Sequence, residues 1–226
     1  MMKTTTYITQ NDAACRSRIL AAIICLAVLC MFVAPIAAHA ADEKAIPPIA
    51  RKAEAYLNNL KTAEARFVQR AHNGNELYGT FYLSRPGRLR FEYDEPIKDF
   101  IVADGYFIYF YDAELGEQSN APIGQTMADF LLRKDLRFSG EIQVTGVRRE
   151  GDMIEIALVQ RGDPEAGSLV LCFSEAPFQL RKWRVIDSMG YVTETELMAL
   201  RTGVELDDSL FIYQNPRRFE DFKMNR

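Results

Sequence analysis

The feature that most constrains this chain is the change in its hydrophobic period that follows residue 60. From Ala63 onward, apolar residues recur at every second position, which places them on one face of a β-strand. Turn-forming pairs such as Asn73-Gly74 and Pro86-Gly87 separate one apolar stretch from the next. The candidate strands span residues 63–71, 76–84, 87–93, 98–103, 106–112, 115–119, 141–149, 152–160, 167–174, 178–187 and 190–200. Eleven short strands with tight connections predict an antiparallel meander.

Two amphipathic helices accompany these strands. The first begins at Pro47-Pro48, because proline is tolerated only in a first turn, and its apolar residues continue at helical spacing to Leu60. The second interrupts the strands at residues 125–133, where Met127, Phe130 and Leu131 fall at positions i, i+3 and i+4. Each helix has one apolar stripe and therefore needs an apolar surface to cover.

A long antiparallel meander either closes into a barrel or curls into a half-barrel, and its concave side is where the two helices can bury their stripes. We therefore predict a mainly β (α+β) fold, in which short helices form a lid over the apolar inner side of a curved sheet. The large aromatic residues expected on that inner side are Phe67, Phe81, Phe91, Tyr93 and Phe107. The pattern alone is compatible both with a packed core and with a ligand cavity.

The first forty residues form a separate segment. Two arginines precede an uncharged apolar run at residues 19–33, and Ala38-His39-Ala40 provides the small residues of a cleavage site. An uncleaved membrane anchor is the alternative, because residues 19–38 are about long enough to span a bilayer. The alanine-rich end and the acidic residues after it favour cleavage. We expect residues 1–40 to be a cleaved signal peptide and residues 41–226 to form a single domain.

Cysteine and charge content limit what residues 41–226 can do. Cys172 is the only cysteine of this part, so no internal disulfide can form and packing must stabilise the fold. The whole chain has a formal net charge of −4. Residues 1–40 contain three basic residues and one acidic residue, so their removal leaves a net charge of −6. An acidic domain of this kind is not expected to bind nucleic acid.

The sequence has no constellation of residues that would support catalysis. It contains no nucleophile elbow, no glycine-rich phosphate loop and no cluster with metal-ligand spacing. His72, the one histidine of residues 41–226, precedes Asn73-Gly74 in a predicted hairpin loop, where a histidine is usually solvated. We therefore expect no enzyme activity, no cofactor and no metal site.

Arg85 stands out because it continues an apolar row. Phe81, Leu83 and Arg85 share one face of a predicted strand that ends at a Pro-Gly corner. An arginine on an apolar face is costly unless its donors are hydrogen-bonded. One interpretation is a strand-end arginine whose charged group extends into water. The other is a guanidinium that bonds acceptors inside the fold, and the alternation alone leaves both open.

The order of several short motifs resembles one known family. After the signal peptide and the first helix, the motifs are Phe67-x-Gln69, Gly79-x-Phe81-x-Leu83-x-Arg85-Pro86-Gly87-x-Leu89-x-Phe91-x-Tyr93, Val102-x-Asp104-Gly105, Glu117-Gln118 and Phe130-Leu131-Leu132. This pattern resembles the periplasmic outer-membrane lipoprotein carrier family of the LolA type. The resemblance covers almost all of the chain after the signal peptide.

The resemblance implies both a fold and a function. The fold is an unclosed antiparallel barrel of about eleven strands, a half-barrel with helices as its lid. Its apolar cavity would take the acyl chains of lipoproteins that an ABC-type complex releases from the inner membrane. The protein would be a soluble, monomeric periplasmic chaperone that carries this cargo to a lipoprotein acceptor at the outer membrane. Such a carrier serves lipoprotein transport and outer-membrane biogenesis.

The resemblance also implies a role for Arg85. The arginine that latches the lid in the family maps to Arg85, and with the resemblance in hand the latch is the preferred interpretation of this residue. Leu89 stands where the family often has an aromatic residue, and Phe91 stands where a tryptophan is common. From the apolar rows and the two helices, we expect the acyl-binding cavity to be lined by Leu57, Phe67, Phe81, Leu83, Leu89, Phe91, Met127, Phe130 and Leu131.

Three other kinds of protein share parts of this pattern. A lipid- or lipoprotein-sensing regulator would use the same half-barrel but would bind a signalling protein, so a pull-down with the inner-membrane release complex would separate it from a carrier. A lipocalin-like carrier of small apolar molecules usually has an early Gly-x-Trp, whereas Trp183 is late. An esterase would need a nucleophile and a base that the sequence does not offer.

We expect the mature protein to begin at Ala41, because the features of the signal peptide end at Ala40. Intact-mass analysis of the protein isolated from the periplasm measures this directly. A mass that includes residues 1–40 would show instead that the apolar segment is retained.

Overall fold

The structure is a computed structural model that describes residues 46–216, so the predicted signal peptide and its cleavage site lie outside the described residues. A helix, α1 (Pro48–Asn59), precedes the strands. The strands are β1 (Thr62–Arg70), β2 (Glu76–Ser84), β3 (Arg88–Tyr93), β4 (Phe100–Asp104), β5 (Phe107–Asp112), β6 (Glu117–Pro122), β7 (Ile142–Glu150), β8 (Met153–Gln160), β9 (Gly167–Ser174), β10 (Gln179–Asp187) and β11 (Val192–Thr202). All eleven predicted strands are therefore confirmed, with ends that differ by a few residues.

The eleven strands form one sheet in the order β6-β5-β4-β3-β2-β1-β11-β10-β9-β8-β7. Every neighbouring pair is antiparallel, and the first and last strands pair with each other in the middle of the sheet. The sheet is not closed, because β6 and β7 are its two edges. This confirms the prediction of a mainly β, unclosed antiparallel half-barrel.

The two edge strands have sequences that suit an edge. β6 is polar and exposed along nearly its whole length and ends at Pro122, which has no backbone N–H to donate. β7 contains an irregularity in its pairing with β8 between Val144 and Gly146, and its second half is exposed. The chain leaves the sheet after β6 and re-enters at β7, so the connecting residues 123–141 span the open side. We call residues 123–141 the lid segment.

The lid segment contains less helix than the sequence predicted. Residues 125–133 were expected to form one helix, but the structure has a 3₁₀ turn at Ile123–Gln125 and a single-turn helix, α2, at Asp129–Leu132. Arg133 adopts an extended conformation with ψ of 132°, which ends α2. The rest of the segment is irregular and also contributes buried apolar side chains, Leu136 and Phe138.

Helix α1 begins at Pro48 as predicted and covers the inner side of the sheet. Its fully buried side chains are Ala50, Ala53 and Leu57, spaced three and four residues apart, whereas Ile49 is only half-buried. Two alanines on the contact face let the helix backbone approach the sheet closely. Together with the lid segment, α1 closes the apolar interior.

The inward rows of the sheet form one aromatic-rich core. The Phe67 ring makes edge contacts with Phe91 and Tyr93, at centroid distances of 5.1 and 5.4 Å. Phe107 does not belong to this core: its side chain is 41% exposed, so its expected inward position is wrong. The pairing of Ala103 with Ile108 puts Ile108 on the inner face and turns Phe107 outward.

The residues after β11 cover the outer face of the corner formed by Arg85-Pro86-Gly87, which we call the R-P-G corner or the Arg85 corner. Arg88, which starts β3, forms an ion pair with Asp208 at 2.6 Å and stacks over the Phe211 ring. Farther along, Tyr213 stacks on Tyr109 at a centroid distance of 4.8 Å. A second, smaller apolar cluster therefore lies on the outer face of β4 and β5.

Gly79 is the position where the core tolerates no side chain. A Cβ atom on this residue would stand 2.2 Å from the Glu92 carbonyl oxygen and 2.7 Å from Cε1 of Phe67. We expect Gly79→Ala to lower the free energy of unfolding by about 1–3 kcal/mol, because the Phe67 ring and β3 must both move. Chemical denaturation measures this change. Gly162→Ala is the control, since nothing lies within 4 Å of its Cβ position, and equal stability of the two variants would contradict the packing described here.

Candidate functional site: the apolar interior and the Arg85 corner

The nine residues proposed to line a cavity all belong to one apolar cluster. Eight of them are buried, and Met127 is half-buried and packs against the others. Four of them, Leu57, Phe81, Leu83 and Leu131, also line the space that remains inside the cluster. The structure thus brings the predicted set together on the inner face of the sheet and beneath the lid.

The space that remains between the lid and the sheet is very small. Its volume is about 10 Å³, which is close to the minimum for one water molecule. Its walls are Leu57, Leu60, Ala63, Phe81, Leu83, Arg85, Leu131, Leu180, Trp183, Leu197 and Leu200. This part of the interior is therefore filled by the protein's own side chains.

Trp183 is part of this interior although the sequence analysis did not place it there. It is 5% exposed and contacts Phe81 and Phe91 at centroid distances of 5.6 and 6.2 Å. The pairing of β10 with β9 is irregular between Leu180 and Lys182, so that Leu180 and Trp183 both face inward although they are three residues apart. This bulge interrupts the two-residue alternation of inward and outward side chains, so alternation along β10 does not predict that Trp183 faces inward.

Arg85 faces the lid and lines the remaining cavity. Its Nη2 donates a hydrogen bond of 2.5 Å to the carbonyl oxygen of Arg133, the first residue after α2. Its Nε and Nη1 are buried and have no hydrogen-bond partner among the described residues. Burial lowers the pKa of this guanidinium from its ordinary value. The side chain therefore lies inside the fold and does not extend into water as a strand-end arginine would.

The backbone of the same corner makes a second contact with the lid. The N–H of Gly87 donates to the carbonyl oxygen of Leu132 at 3.0 Å. The last carbonyl groups of a helix have no partner within the helix, so α2 offers these acceptors at its end. Gly87 has a φ of +82°, and a Cβ there would stand 2.9 Å from the Cα of Gly105. The R-P-G turn thus lies directly against the Asp104-Gly105 turn, glycine to glycine.

The lid segment is also tied to α1. The Asn58 side chain donates from Nδ2 to the carbonyl oxygen of Leu136 at 2.9 Å and accepts from the Leu136 N–H at 3.0 Å. The N–H of Phe138 donates to Oε2 of Glu54 at 2.6 Å. Neither contact was predicted, because a polar residue off the apolar stripe of a helix looks like a surface residue. These three bonds join α1 and the lid segment into one cover.

The Arg133 side chain stiffens the end of α2. It forms ion pairs with Asp129, four residues earlier in the lid segment, and with Glu141. Asp129 is 6% exposed, so the first of these pairs is largely shielded from water. The carbonyl group that Arg85 reaches therefore belongs to a residue whose own side chain is held in place.

A polar network occupies the inner face at the end of the strands away from Arg85. The Tyr93 hydroxyl donates to Oε1 of Gln69 at 2.8 Å, and the Gln69 amide reaches the Thr195 hydroxyl at 3.5 Å. Burial raises the pKa of Tyr93 to about 12, so its hydroxyl stays protonated and remains a donor at neutral pH. The Phe67-x-Gln69 motif therefore contributes an aromatic residue to the core and a polar residue to this network.

The rest of the described chain offers little reactive chemistry. Cys172 is fully buried, and burial raises its pKa to about 11, which keeps it as an unreactive thiol. Within residues 46–216, no three His, Cys, Asp or Glu side chains come together as a metal site would require. In the same part of the chain, no helix is both long enough and apolar enough to cross a membrane.

Several curated proteins are similar to this chain, at moderate identity. The outer-membrane lipoprotein carrier protein of Methylococcus capsulatus is 28% identical over 178 residues, which cover 75% of this chain and 85% of that protein. The protein with the same name from Legionella pneumophila strain Paris is 26% identical and covers 71% of this chain and 83% of its own length. The one from Dechloromonas aromatica is 27% identical, with coverages of 84% and 92%.

Solved structures show a more distant similarity. A conserved protein of Thermus thermophilus is 14% identical, with a TM-score of 0.44, and the match covers 74% of this chain and 96% of that one. A LolA superfamily protein of Nitrosomonas europaea is 10% identical, with a TM-score of 0.41 and coverages of 73% and 97%.

The family comparison agrees with the motifs and with the half-barrel. The model of the family described as outer membrane lipoprotein carrier protein LolA matches residues 58–214, from the end of α1 to beyond the last strand. That range includes the R-P-G corner, the lid segment and all eleven strands. The chain belongs to the LolA family of outer membrane lipoprotein carrier proteins.

Proposed function

We propose that this protein is a periplasmic carrier that binds the acyl chains of lipoproteins released from the inner membrane and delivers them to the outer membrane. The observation that carries the proposal is a lid over an apolar half-barrel, with the half-buried side chain of Arg85 hydrogen-bonded to the lid. The names of the related proteins support lipoproteins as the cargo. In this proposal the protein binds and does not catalyse, and residues 41–226 act as a single carrier domain.

The physics of acyl chains explains why such a carrier needs a lid. Each CH₂ group kept from water contributes about 0.8 kcal/mol, so one chain of about a dozen carbons contributes near 10 kcal/mol. A carrier that bound several chains with this full energy could not release them. In the present structure the inner side chains already bury one another, so loading must first displace the lid and break these contacts. That displacement offsets part of the binding energy.

The Arg85 corner sets how strongly the lid stays closed. The bonds from Arg85 to the Arg133 carbonyl and from Gly87 to the Leu132 carbonyl exist only while the lid is in place. A hydrogen bond to a charged group contributes about 1.5–3 kcal/mol. The two buried donors of Arg85 without a partner act in the opposite direction, because they would be hydrated in an open state. We infer a closed state that is favoured by a small margin.

The cargo and its route imply the partners. In this proposal an ABC-type release complex of the inner membrane supplies the lipoprotein, and an acceptor at the outer membrane receives it. The carrier acts as a monomer, because the cargo must be shielded by one closed interior. Nucleic acid is not a partner in this proposal, because residues 41–226 have a net charge of −6.

We expect Phe91→Glu to abolish the binding of a fluorescent fatty-acyl probe, because a carboxylate replaces a ring at the centre of the apolar cluster. Probe fluorescence titration measures the affinity, and circular dichroism shows whether the variant is folded. Phe107→Glu is the matched control, since Phe107 faces outward. A folded Phe91→Glu variant that binds the probe as the wild type does would refute the proposed cavity.

We expect Arg85→Leu to hold a loaded lipoprotein about tenfold more tightly than the wild type, because the loss of about 1.4 kcal/mol of closed-state stability shifts the lid toward the open state. Transfer from the purified carrier–lipoprotein complex to outer-membrane vesicles should become correspondingly slow. Arg181→Leu, which removes an exposed arginine from β10, serves as the control. Equal affinities and equal transfer rates for Arg85→Leu and the wild type would show that Arg85 is not a latch.

A further inference from the structure

More than half of the described basic side chains that lack an ion pair are concentrated in one part of this protein. Of the 19 lysines and arginines in residues 46–216, ten form an ion pair with a described carboxylate. Five of the other nine lie on α1, directly after it, or in the lid segment, and all five are exposed. These five are Arg51, Lys52, Lys61, Lys134 and Arg137.

Four of these five residues belong to one continuous surface, whereas Lys52 lies against the β9–β10 turn, with its Nζ 4.3 Å from the centre of the Phe178 ring. Two contacts hold this end of the lid segment, residues 133–138, against the side of α1. Asn58 and Leu136 exchange two hydrogen bonds, and the Phe138 N–H donates to the Glu54 carboxylate. Lys61 continues the same surface, because its Nζ donates to the carbonyl oxygen of Asn58 at 2.8 Å. We call the exposed side of α1, Lys61 and residues 133–137 the lid face.

The acidic groups near the lid face are mostly engaged elsewhere. Glu54 accepts from the Phe138 N–H, and both Asp129 and Glu141 pair with Arg133. Asp135 is the one acidic residue of positions 133–137, beside three basic residues. The whole of residues 46–216 contains 26 acidic and 19 basic residues, a net charge of −7. The lid face is thus a positive surface on a negative protein.

We propose that the lid face is the docking surface for an acidic surface on the partner protein that loads the cargo. This proposal rests on the proposed carrier function, because cargo enters and leaves where the lid opens. An acidic partner would be repelled by most of the carrier and attracted by the lid face, so that encounters are oriented productively. Attraction of this kind raises the association rate more than it prolongs the complex.

A protein surface fits these observations better than a lipid surface does. Helices that lie in a membrane interface combine basic residues with exposed Trp, Phe or Leu side chains. Among the described residues, the exposed large apolar side chains lie outside α1 and outside residues 133–141. The lid face therefore offers charge without an apolar anchor.

The lid face also lies next to the latch. Lys134 directly follows the residue whose carbonyl oxygen accepts from Arg85. Arg137 lies between Leu136 and Phe138, two of the side chains that the lid segment buries in the core. A partner that contacts Lys134 and Arg137 more strongly when the lid is open would shift the lid toward the open state.

The test is a double charge reversal that leaves the packing untouched, Lys134→Glu with Arg137→Glu. The control is Lys98→Glu with Arg181→Glu, which reverses two exposed, unpaired cations outside the lid face and changes the net charge equally. Association is measured by stopped flow with the inner-membrane release complex in phosphatidylcholine nanodiscs, at low and high salt. Protein-free vesicles of phosphatidylglycerol test lipid binding.

We expect the lid-face variant to associate about tenfold more slowly at low salt, with a difference that shrinks as salt screens the charges. The control variant should associate as the wild type does, and all three proteins should bind the acyl probe equally. Equal association rates, no docking by the wild type, or a loss confined to phosphatidylglycerol vesicles would each overturn the proposal. A wild type that fails to bind acyl probes would instead overturn the carrier function itself.

Discussion

The contact between the inner face of the open sheet and its cover is the interaction on which the rest of this structure depends. An unclosed half-barrel exposes an apolar concave face that no strand pairing can protect. Here α1 inserts Ala50, Ala53 and Leu57, and the lid segment inserts Leu136 and Phe138 among other residues. A cover made of one helix and a mostly irregular segment can leave without disrupting any strand pairing. The paired strands and the cover are therefore separate in the chain.

The contacts of Arg85 both stabilise and destabilise the closed arrangement of the lid. One donor of the guanidinium reaches the lid, while two others are buried without a partner. A fully bonded arginine would hold the lid firmly, and a leucine would not hold it by hydrogen bonds at all. The observed arrangement lies between these limits. Because the corner itself is fixed from outside by Arg88, Asp208 and Phe211, a change in the lid does not require a change in β3.

Basic residues with and without an ion pair are concentrated in different parts of the molecule. The outer face of the sheet neutralises most of its basic residues in cross-strand pairs, such as Arg70 with Glu196 and Lys182 with Glu194. Such exposed pairs contribute little to stability, but they remove positive charge from the outer face. Of the nine described basic residues without an ion pair, five lie on α1, directly after it or in the lid segment. The cover thus differs in charge from the outer face of the sheet.

The sequence by itself determined the number of strands, the turns between them and the start of α1, and it placed Arg85 in line with an apolar row. These are local properties, because alternation, proline and turn residues act over a few positions. The tertiary structure decided the rest. Pairing of β1 with β11 and the bulge that turns Trp183 inward depend on partners far along the chain. Phe107 faces outward because strand register, not hydrophobicity, selects the buried side. The lid became mostly irregular because its contacts with Asn58, Glu54 and Arg85 replace those of a longer helix.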